Sequence, residues 1–508
     1  MYGTVIGHGM ASPDVALPEW PISVVSGILR GDTQIWVAGG AVRDLILGRQ
    51  PRDWDFVVST SGLPIARAVA DHMGGAYYPL DYERQTGRAI VADPASGHRL
   101  MLDFAALRGN SITEDLQARD FTINAMATGL EGNLIDPTGG FADLKLRFLR
   151  MVTPDCFAAD SVRLIRAVRL SSQLGLAIAD GTRSRIIADA PSIATSAPER
   201  VRAELVGLLA LSEAAEGLRL LGDMGIFPHI FPELATPGCM AGHTVDAQSL
   251  AAIGALVALE THLTGNDAGV PALESVLIHT VQGLSERARE GLRSYLSGCV
   301  GTEVTRSILV RLAALFVCGT GRLPTDAGPR SDFEHRMAGL RFSNSATEFA
   351  TALAESQGIF AQLAASGTLP KAGHAQDAAA RRATYRFFRE AREAGVGAIL
   401  LALARETDST QTSYQSTFQD DYASAAHTLI ESYLCRYSDV IVPIPLLRGQ
   451  ELLALGVPPG PSVGRITALL AEAQAAGEVA APAHARAFVR QWLKQDDDCD
   501  SGATEKRA

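Results

Sequence analysis

The stretch "VAGGAVRDLILGRQPRDWDFVV", residues 37–58, places two glycines, an arginine and two aspartates in a definite order. The apolar residues before Gly39 and Gly40 predict a short buried strand, and the residues after the turn predict a helix. The letters "DWDFVV" predict a second strand. Because side chains alternate along a strand, Asp53 and Asp55 are expected to share one face of it.

Two carboxylates side by side repel each other, so their placement calls for a compensating positive charge. Magnesium supplies it, because a hard divalent cation prefers oxygen ligands. Asp103, in the later strand "LMLDFAAL", extends the pair to three carboxylates. Such a cluster suits two-metal phosphoryl transfer. The sequence therefore predicts Asp53, Asp55 and Asp103 as catalytic residues, with Asp53 and Asp55 as the metal ligands.

The glycine turn fits the same chemistry. Gly39 and Gly40 allow backbone amides to approach phosphate oxygens, and the helix that follows adds its positive end. Arg43 is placed to neutralise part of a triphosphate. Two glycines before a helix are also common where a helix simply begins. A DxD pair often lies at a solvated strand edge without binding a metal. The order and spacing of the whole stretch favour a triphosphate site.

The composition describes an ordinary globular protein. The chain has 508 residues, 47% of them hydrophobic and 20% charged, which is too long for one core. It contains no apolar run of transmembrane length and no signal-peptide pattern at its start. Six scattered cysteines without a CxxC pair indicate neither zinc nor disulfides, so a cytoplasmic location is expected.

The net charge of −11 weighs against nucleic-acid binding by the chain as a whole. The distribution differs from the total. Residues 147–204 carry nine arginines against six acidic residues. A basic face for a nucleic-acid partner is therefore expected in this region.

The pattern predicts an α+β fold: a small mixed β-sheet head, followed by an elongated all-α neck, body and tail. Strands alternate with helices up to about residue 150, with a hairpin turn at "DPASG" (93–97) and a helix over 112–129. Helical spacing then continues to residue 495. The predicted divisions are an N-terminal extension (1–33), a head (34–150), a neck (151–215), a body (216–345), a tail (346–495) and a disordered end (496–508).

The opening stretch resembles the signature of the class II nucleotidyltransferases, which comprise bacterial CCA-adding tRNA nucleotidyltransferases and related poly(A) polymerases. Further segments resemble later motifs of that family in the same order. They are "EDLQARDFTINAMA" (114–127), "LIDPTGGFADLKLRFLR" (134–150), "DSVRLIRAVRL" (160–170), "PERVRAELVGLLA" (198–210) and "PLLRGQELLALGVPPGPSVGRITALLAEAQAAGEV" (445–479).

The resemblance implies a template-independent enzyme that uses magnesium, CTP and ATP to extend tRNA 3′ ends. It places Gly40 and Arg43 at the triphosphate and Arg119 at the nucleotide. It also implies that Asp160 and Arg163 read the incoming base. It further implies that Arg166 and Arg169 of the same helix contact the nucleotide and contribute to the packing of the neck.

The chain departs from the family pattern at three places. Ala159 stands where a glutamate usually precedes Asp160. Only "RGNSIT" (108–113) occupies the position of a flexible loop that the family links to switching from C to A addition. The region 216–345 resembles an HD phosphohydrolase domain whose metal-binding residues are replaced, with Val317 and Cys318 near the expected dyad.

Two other functions stay open at the sequence level. A poly(A) polymerase shares the same head motifs. A tRNA-binding protein with weak catalysis would fit the altered base-reading motif and the short loop, although the metal and triphosphate residues are all present.

Overall fold

The computed structural model describes residues 14–234, 245–265, 275–301, 304–319, 329–365, 377–406 and 416–504. The chain forms two compact units, divided between Ser196 and Ala197. The first contains a mixed sheet and the second is mostly helical, which confirms the predicted α+β class. No helix in the described ranges is long and apolar enough to cross a membrane.

The first unit contains nine strands in the described residues. Their bounds are β1 (Ile35–Ala38), β2 (Asp53–Val58), β3 (Ala76–Asp81), β4 (Thr86–Ala92), β5 (Arg99–Ala106), β6 (Ala127–Thr128), β7 (Leu134–Ile135), β8 (Phe148–Leu149) and β9 (Ala177–Ile178). Seven of those in the described residues form one sheet, in the order β3-β4-β5-β2-β1-β6-β7. Strands β2 and β5 are parallel, and the predicted turn at 93–97 joins β4 to β5 as an antiparallel hairpin.

The helices of the first unit are α1 (Glu19–Ile28), α2 (Gly40–Ile46), α3 (Gly62–Met73), α4 (Ile112–Gln117), α5 (Gly140–Lys145), α6 (Cys156–Ala159), α7 (Arg163–Leu174) and α8 (Asp180–Asp189). Helix α3 packs against β3, β4 and β5. A Cβ atom on Gly87 would meet the Ala66 side chain of α3 at 2.8 Å, so Gly87 faces this helix. Its register partner Phe104 therefore lies on the α3 side, together with Phe56, whose ring stacks on Phe104 at 4.8 Å.

The prediction of one helix over 112–129 is wrong. Helix α4 ends at Gln117, a short 3-10 turn occupies Thr122–Asn124, and β6 follows. The Asp120 carboxylate accepts hydrogen bonds from the Phe121 amide at 2.8 Å and the Asn124 side chain at 3.3 Å. These side-chain bonds offer the backbone an alternative to the helix, as short polar residues often do.

The second unit consists almost wholly of helices. They are α9 (Pro198–Leu209), α10 (Ala214–Asp223), α11 (Phe227–Ile230), α12 (Ala247–Thr264), α13 (Val276–Gln282), α14 (Glu286–Ser297), α15 (Arg306–Gly319), α16 (Pro329–Gly339), α17 (Asn344–Ala365), α18 (Ala378–Ala391), α19 (Gly395–Arg405), α20 (Ser416–Cys435), α21 (Gly449–Ala454), α22 (Pro461–Ala476) and α23 (Pro482–Thr504). A small hairpin pairs β10 (Cys299–Val300) with β11 (Val304–Thr305). Helix α23 takes up much of the range 496–508, for which the sequence predicts disorder.

The region that resembles an HD domain presents apolar side chains at the expected metal positions. Val317 and Cys318 on α15 are both buried, and burial raises the pKa of the Cys318 thiol to about 11. His335 is exposed on α16, and His243 lies outside the described residues. Within those residues no three His, Cys, Asp or Glu side chains form a group that could hold a metal ion.

The C-terminal helices form a core of their own. Leu452, Ile466, Leu470 and Val489 belong to one buried cluster that is built from α21, α22, α23 and the loops between them. Glutamates of this part pair with arginines of α18. The pairs are Glu478 with Arg382 at 2.6 Å and Glu472 with Arg386 at 2.6 Å.

Candidate active site

The predicted carboxylates lie together at the centre of the sheet. Asp55 and Asp103 are register partners on the parallel strands β2 and β5, and Asp53 lies two residues before Asp55. Trp54 between them is buried, whereas Asp53 and Asp55 keep solvent-accessible surface, which confirms that the two aspartates share one face. The row lies on the sheet face opposite α3, because Phe104 beside Asp103 points toward that helix.

Asp103 is bound to a residue that the sequence analysis missed. The Arg88 guanidinium on β4 donates to both carboxylate oxygens, with Nε 2.6 Å from Oδ1 and Nη2 2.7 Å from Oδ2. This two-bond contact raises the pKa of Arg88. The signal was present, because Arg88 and Asp103 are direct partners in the hairpin whose turn the sequence predicts.

The pKa values of Asp53 and Asp55 are both raised. The main cause is loss of solvation by the surrounding protein, although both side chains keep some solvent-accessible surface. Repulsion from Asp103 acts in the same direction, while Arg88 and Arg119 act against it. The ionised form of each carboxylate is therefore disfavoured in the metal-free protein.

The turn between β1 and α2 closes over Asp55. Gly39 has φ 73° and ψ −136°, a conformation that suits glycine, and its amide donates to the Met126 carbonyl at 3.0 Å. A Cβ atom here would lie 2.7 Å from Nη1 of Arg119 and 3.0 Å from Oδ2 of Asp55. The missing side chain thus allows the turn, Arg119 and the carboxylate to approach each other.

Two arginines reach the same region from outside the sheet, each held by an aspartate. Arg119 pairs with Asp115 of α4 at 3.2 Å. Arg166 of α7 donates to the Asp120 carboxylate at 3.2 Å. These bonds hold both guanidinium groups at the cleft, where Arg119 offsets part of the charge of Asp55.

The side chains line an open cleft of about 410 Å³. The predicted site residues among its lining are Gly39, Gly40, Asp55, Asp103, Arg119, Arg163 and Arg166. Lining residues that the sequence analysis did not single out include Arg84, Arg108 and Asp115. These arginines lie in loops with no motif spacing, so the sequence offered no signal for them.

Four predicted site residues lie outside that lining: Asp53, Arg43, Asp160 and Arg169. Asp53 is on the carboxylate face, next to Asp55. Arg43 is buried beneath the turn, where Nη1 donates to Oδ1 of Asn124 at 2.7 Å. Asp160 pairs with Arg163 at 3.9 Å, and Arg169 donates to Gln173 on the outer part of α7.

The donor set at the sheet centre fits a divalent cation. Asp53 and Asp55 provide hard oxygen ligands, and loss of solvation is the leading cause of their raised pKa values. Both oxygens of Asp103 are bound to Arg88, which leaves two carboxylates for an ion. Magnesium commonly takes one or two carboxylates and completes its shell with substrate phosphates and water. Asp53 and Asp55 match that arrangement.

A glycine turn before a helix, carboxylates on adjacent strands and arginines around an open cleft suit the binding of a triphosphate together with a cation. Residues 35–150 match the family described as "Poly A polymerase head domain". Residues 175–236 match "Probable RNA and SrmB-binding site of polymerase A".

Curated relatives extend the likeness to nearly the whole chain. A CC-adding tRNA nucleotidyltransferase of Geobacter sulfurreducens is 31% identical over 470 residues, 92% of this chain and 94% of the relative. An A-adding tRNA nucleotidyltransferase of Deinococcus radiodurans is 33% identical over 473 residues, 90% of this chain and 95% of the relative. The chain therefore belongs to the tRNA nucleotidyltransferase family and is an enzyme of that class. Such membership points to the use of a divalent metal ion.

Solved structures agree on the fold. The Thermotoga maritima CCA-adding enzyme complexed with tRNA has a TM-score of 0.57 at 18% identity, covering 93% of this chain and 94% of that one. A complex of CCA-adding enzyme with ATP has a TM-score of 0.62 at 18% identity, with the same coverage of both chains.

Proposed function

We propose that the enzyme extends the 3′ end of tRNA with C residues from CTP, with Mg²⁺ as its metal ion. The short connection between β5 and α4 is the observation that supports addition of C alone. It spans only residues 107–111. In the family that the sequence resembles, a flexible loop at this place is linked to the switch from C to A addition.

Hydrogen bonds also hold the short connection to the start of α4. Glu114 accepts a hydrogen bond from the Asn110 amide at 2.8 Å, and Asp115 accepts one from the Arg108 amide at 3.1 Å. Ser111 caps α4 by accepting from the Glu114 amide at 3.3 Å. A segment of this length with these bonds offers no mobile loop for a second specificity.

The side chains of the site would have different roles in the reaction. Asp53 and Asp55 would hold Mg²⁺, which supplies positive charge to the triphosphate and lowers the pKa of the attacking hydroxyl. The backbone amide of Gly40 and the Arg119 guanidinium would bind phosphate oxygens, because both residues line the cleft. In the transfer, the RNA 3′-hydroxyl oxygen bonds to the α-phosphorus and gives up its proton to water. The bond from that phosphorus to the α–β bridging oxygen breaks, and pyrophosphate leaves.

Arg43 and Arg88 would act through other residues. The bond from Arg43 to Asn124 supports the floor of the glycine turn. Arg88 holds Asp103 at a set position beside Asp55 and offsets its charge. Arg163, paired with Asp160, would read the base edge from the start of α7.

We expect CTP alone to extend a tRNA that lacks its CCA end by two residues, and ATP alone to extend neither that tRNA nor one ending in CC. Labelled-nucleotide extension on gels measures this directly. Addition of A to the CC-ended tRNA would contradict C-only specificity. Long ATP-dependent tails would identify a poly(A) polymerase, and no extension by any nucleotide would indicate a binding protein.

Asp160→Ala and Arg163→Ala should weaken discrimination among nucleotides more than they slow the transfer. A lost partner at a base edge costs about 1–3 kcal/mol, roughly 5- to 150-fold in selectivity. The ratio of kcat/KM for CTP to that for UTP measures it. Arg185→Ala is the matched control, since Arg185 pairs with Asp189 on α8. Unchanged selectivity in both variants would assign base reading to other residues.

A further inference from the structure

Strand β3 forms one edge of the sheet and carries large exposed apolar side chains. Tyr78 is 51% exposed and Leu80 47% exposed, and Tyr82 in the following turn is 68% exposed. Contact with water does not stabilise an aromatic ring at such a position. Clustered exposed apolar side chains of this kind mark contact surfaces.

Tyr78 lies on the same face of the sheet as the catalytic carboxylates. In the register of the sheet Tyr78 pairs with Arg88, Arg88 with Asp103, and Asp103 with Asp55. Register partners point to the same side, so this row crosses four strands on one face. At about 4.8 Å between strands, Tyr78 lies roughly 14 Å from Asp55.

The neighbouring tyrosine provides an internal comparison. Tyr77 lies on the α3 side, where the Arg67 guanidinium of that helix sits 4.4 Å from the centre of its ring. Helix α3 therefore covers Tyr77, while Tyr78 on the opposite face remains open to solvent.

The exposed strand continues into the wall of the cleft through a well-held turn. Asp81, Arg84 and Thr86 all line the cleft. The Asp81 carboxylate accepts from the Arg84 amide at 2.9 Å, and Gln85 bonds to the Ser61 hydroxyl at 2.7 Å. The strand that carries Tyr78 thus leads directly into residues that line the active site.

The sheet order indicates which substrate meets this surface. The glycine turn after β1 lies on one side of the carboxylates, and β4 and β3 lie on the other. A nucleotide bound at that turn leaves the β3 side for the second substrate, the RNA strand that presents its 3′ end. Arg84 provides positive charge there for its phosphates.

We propose that Tyr78 is a stacking platform for an unpaired base just upstream of the RNA 3′ end. The proposal rests on the proposed function, because it assumes an RNA acceptor at the carboxylates. A ring that stacks on a base face works with any base, so the platform positions the strand without reading its sequence.

The test uses the full-length enzyme and a tRNA lacking its CCA end, with 2-aminopurine placed at each unpaired 3′ position in turn. Stacking quenches this fluorophore, so we expect quenching at one position upon binding. Tyr78→Phe should keep the quenching and Tyr78→Ala should lose it. Removal of the ring in Tyr78→Ala should raise the KM for tRNA by roughly 5- to 150-fold and leave the KM for CTP unchanged.

Leu80→Ala is the matched control, because it removes an exposed apolar side chain from the same strand without removing a ring. Equal effects of Leu80→Ala and Tyr78→Ala would show general apolar contact and overturn the platform. Quenching that survives in Tyr78→Ala, or a raised KM for CTP instead of tRNA, would overturn it as well. If the unaltered enzyme fails to add C, the proposed function fails, independently of these comparisons.

Discussion

Replacing Asp55 with asparagine should abolish nucleotidyl transfer while leaving the protein folded. Asparagine has the shape of aspartate but lacks the charge that a divalent cation needs. We expect a loss of at least about 10³-fold in rate, which corresponds to about 4 kcal/mol of transition-state stabilisation. Asp53→Asn should act in the same direction. Single-turnover extension of tRNA measures both variants.

The same substitution should stabilise the metal-free protein. Burial raises the pKa of Asp55 above its unfolded value near 3.9. The carboxyl therefore favours the fold below that unfolded value, and this contribution is lost as the pH rises through the folded pKa. At neutral pH the ionised side chain opposes folding, and asparagine removes that opposition. The melting temperature of Asp55→Asn should exceed that of the unaltered protein without metal.

Added Mg²⁺ separates a metal ligand from a structural residue. A bound ion stabilises the folded state, so it should raise the melting temperature of the unaltered protein but not that of Asp55→Asn. Asp71→Asn is the control, because Asp71 is an exposed carboxylate on α3. Near-normal transfer by Asp55→Asn, or an equal Mg²⁺ response in both proteins, would remove Asp55 from the metal site.

Local periodicity explains what the sequence could predict. Alternation placed Asp53 and Asp55 on one face because Trp54 between them is apolar and becomes buried. The turn at 93–97 sets the hairpin register, so the contact of Arg88 with Asp103 follows by counting back from the turn. Residues close in sequence, or joined by a tight turn, have their geometry set by local rules.

Other features depend on contacts between distant segments. Strands β2 and β5 are parallel, and α3, β3 and β4 lie between them in the chain, so no local rule sets Asp55 against Asp103. Arg43 follows the glycine turn as a phosphate ligand would, yet its guanidinium turns to Asn124, 81 residues away. The sequence predicts Arg43 as a motif residue but gives no sign that its guanidinium contacts Asn124.

Gly39→Ala should reduce both stability and activity. The positive φ of 73° strains any residue with a Cβ atom, at about 1–3 kcal/mol. The added methyl would also lie 2.7 Å from Nη1 of Arg119 and 3.0 Å from Oδ2 of Asp55, so these two groups must shift. A displacement of about 1 Å at a reacting centre costs about 10²-fold in rate. Urea unfolding and kcat/KM for CTP measure the two effects.

Gly48→Ala separates strain from displacement. Gly48 lies just after α2 with φ 69°, and a Cβ atom there would meet nothing within 4 Å. The alanine therefore carries a backbone cost from the positive φ without contacting the site. We expect it to lower the free energy of unfolding and leave kcat/KM nearly unchanged. If Gly48→Ala lost activity to the same extent as Gly39→Ala, backbone strain alone would account for the loss. The close approach of the glycine turn, Arg119 and Asp55 would then have no part in catalysis, because only Gly39 brings those three groups together.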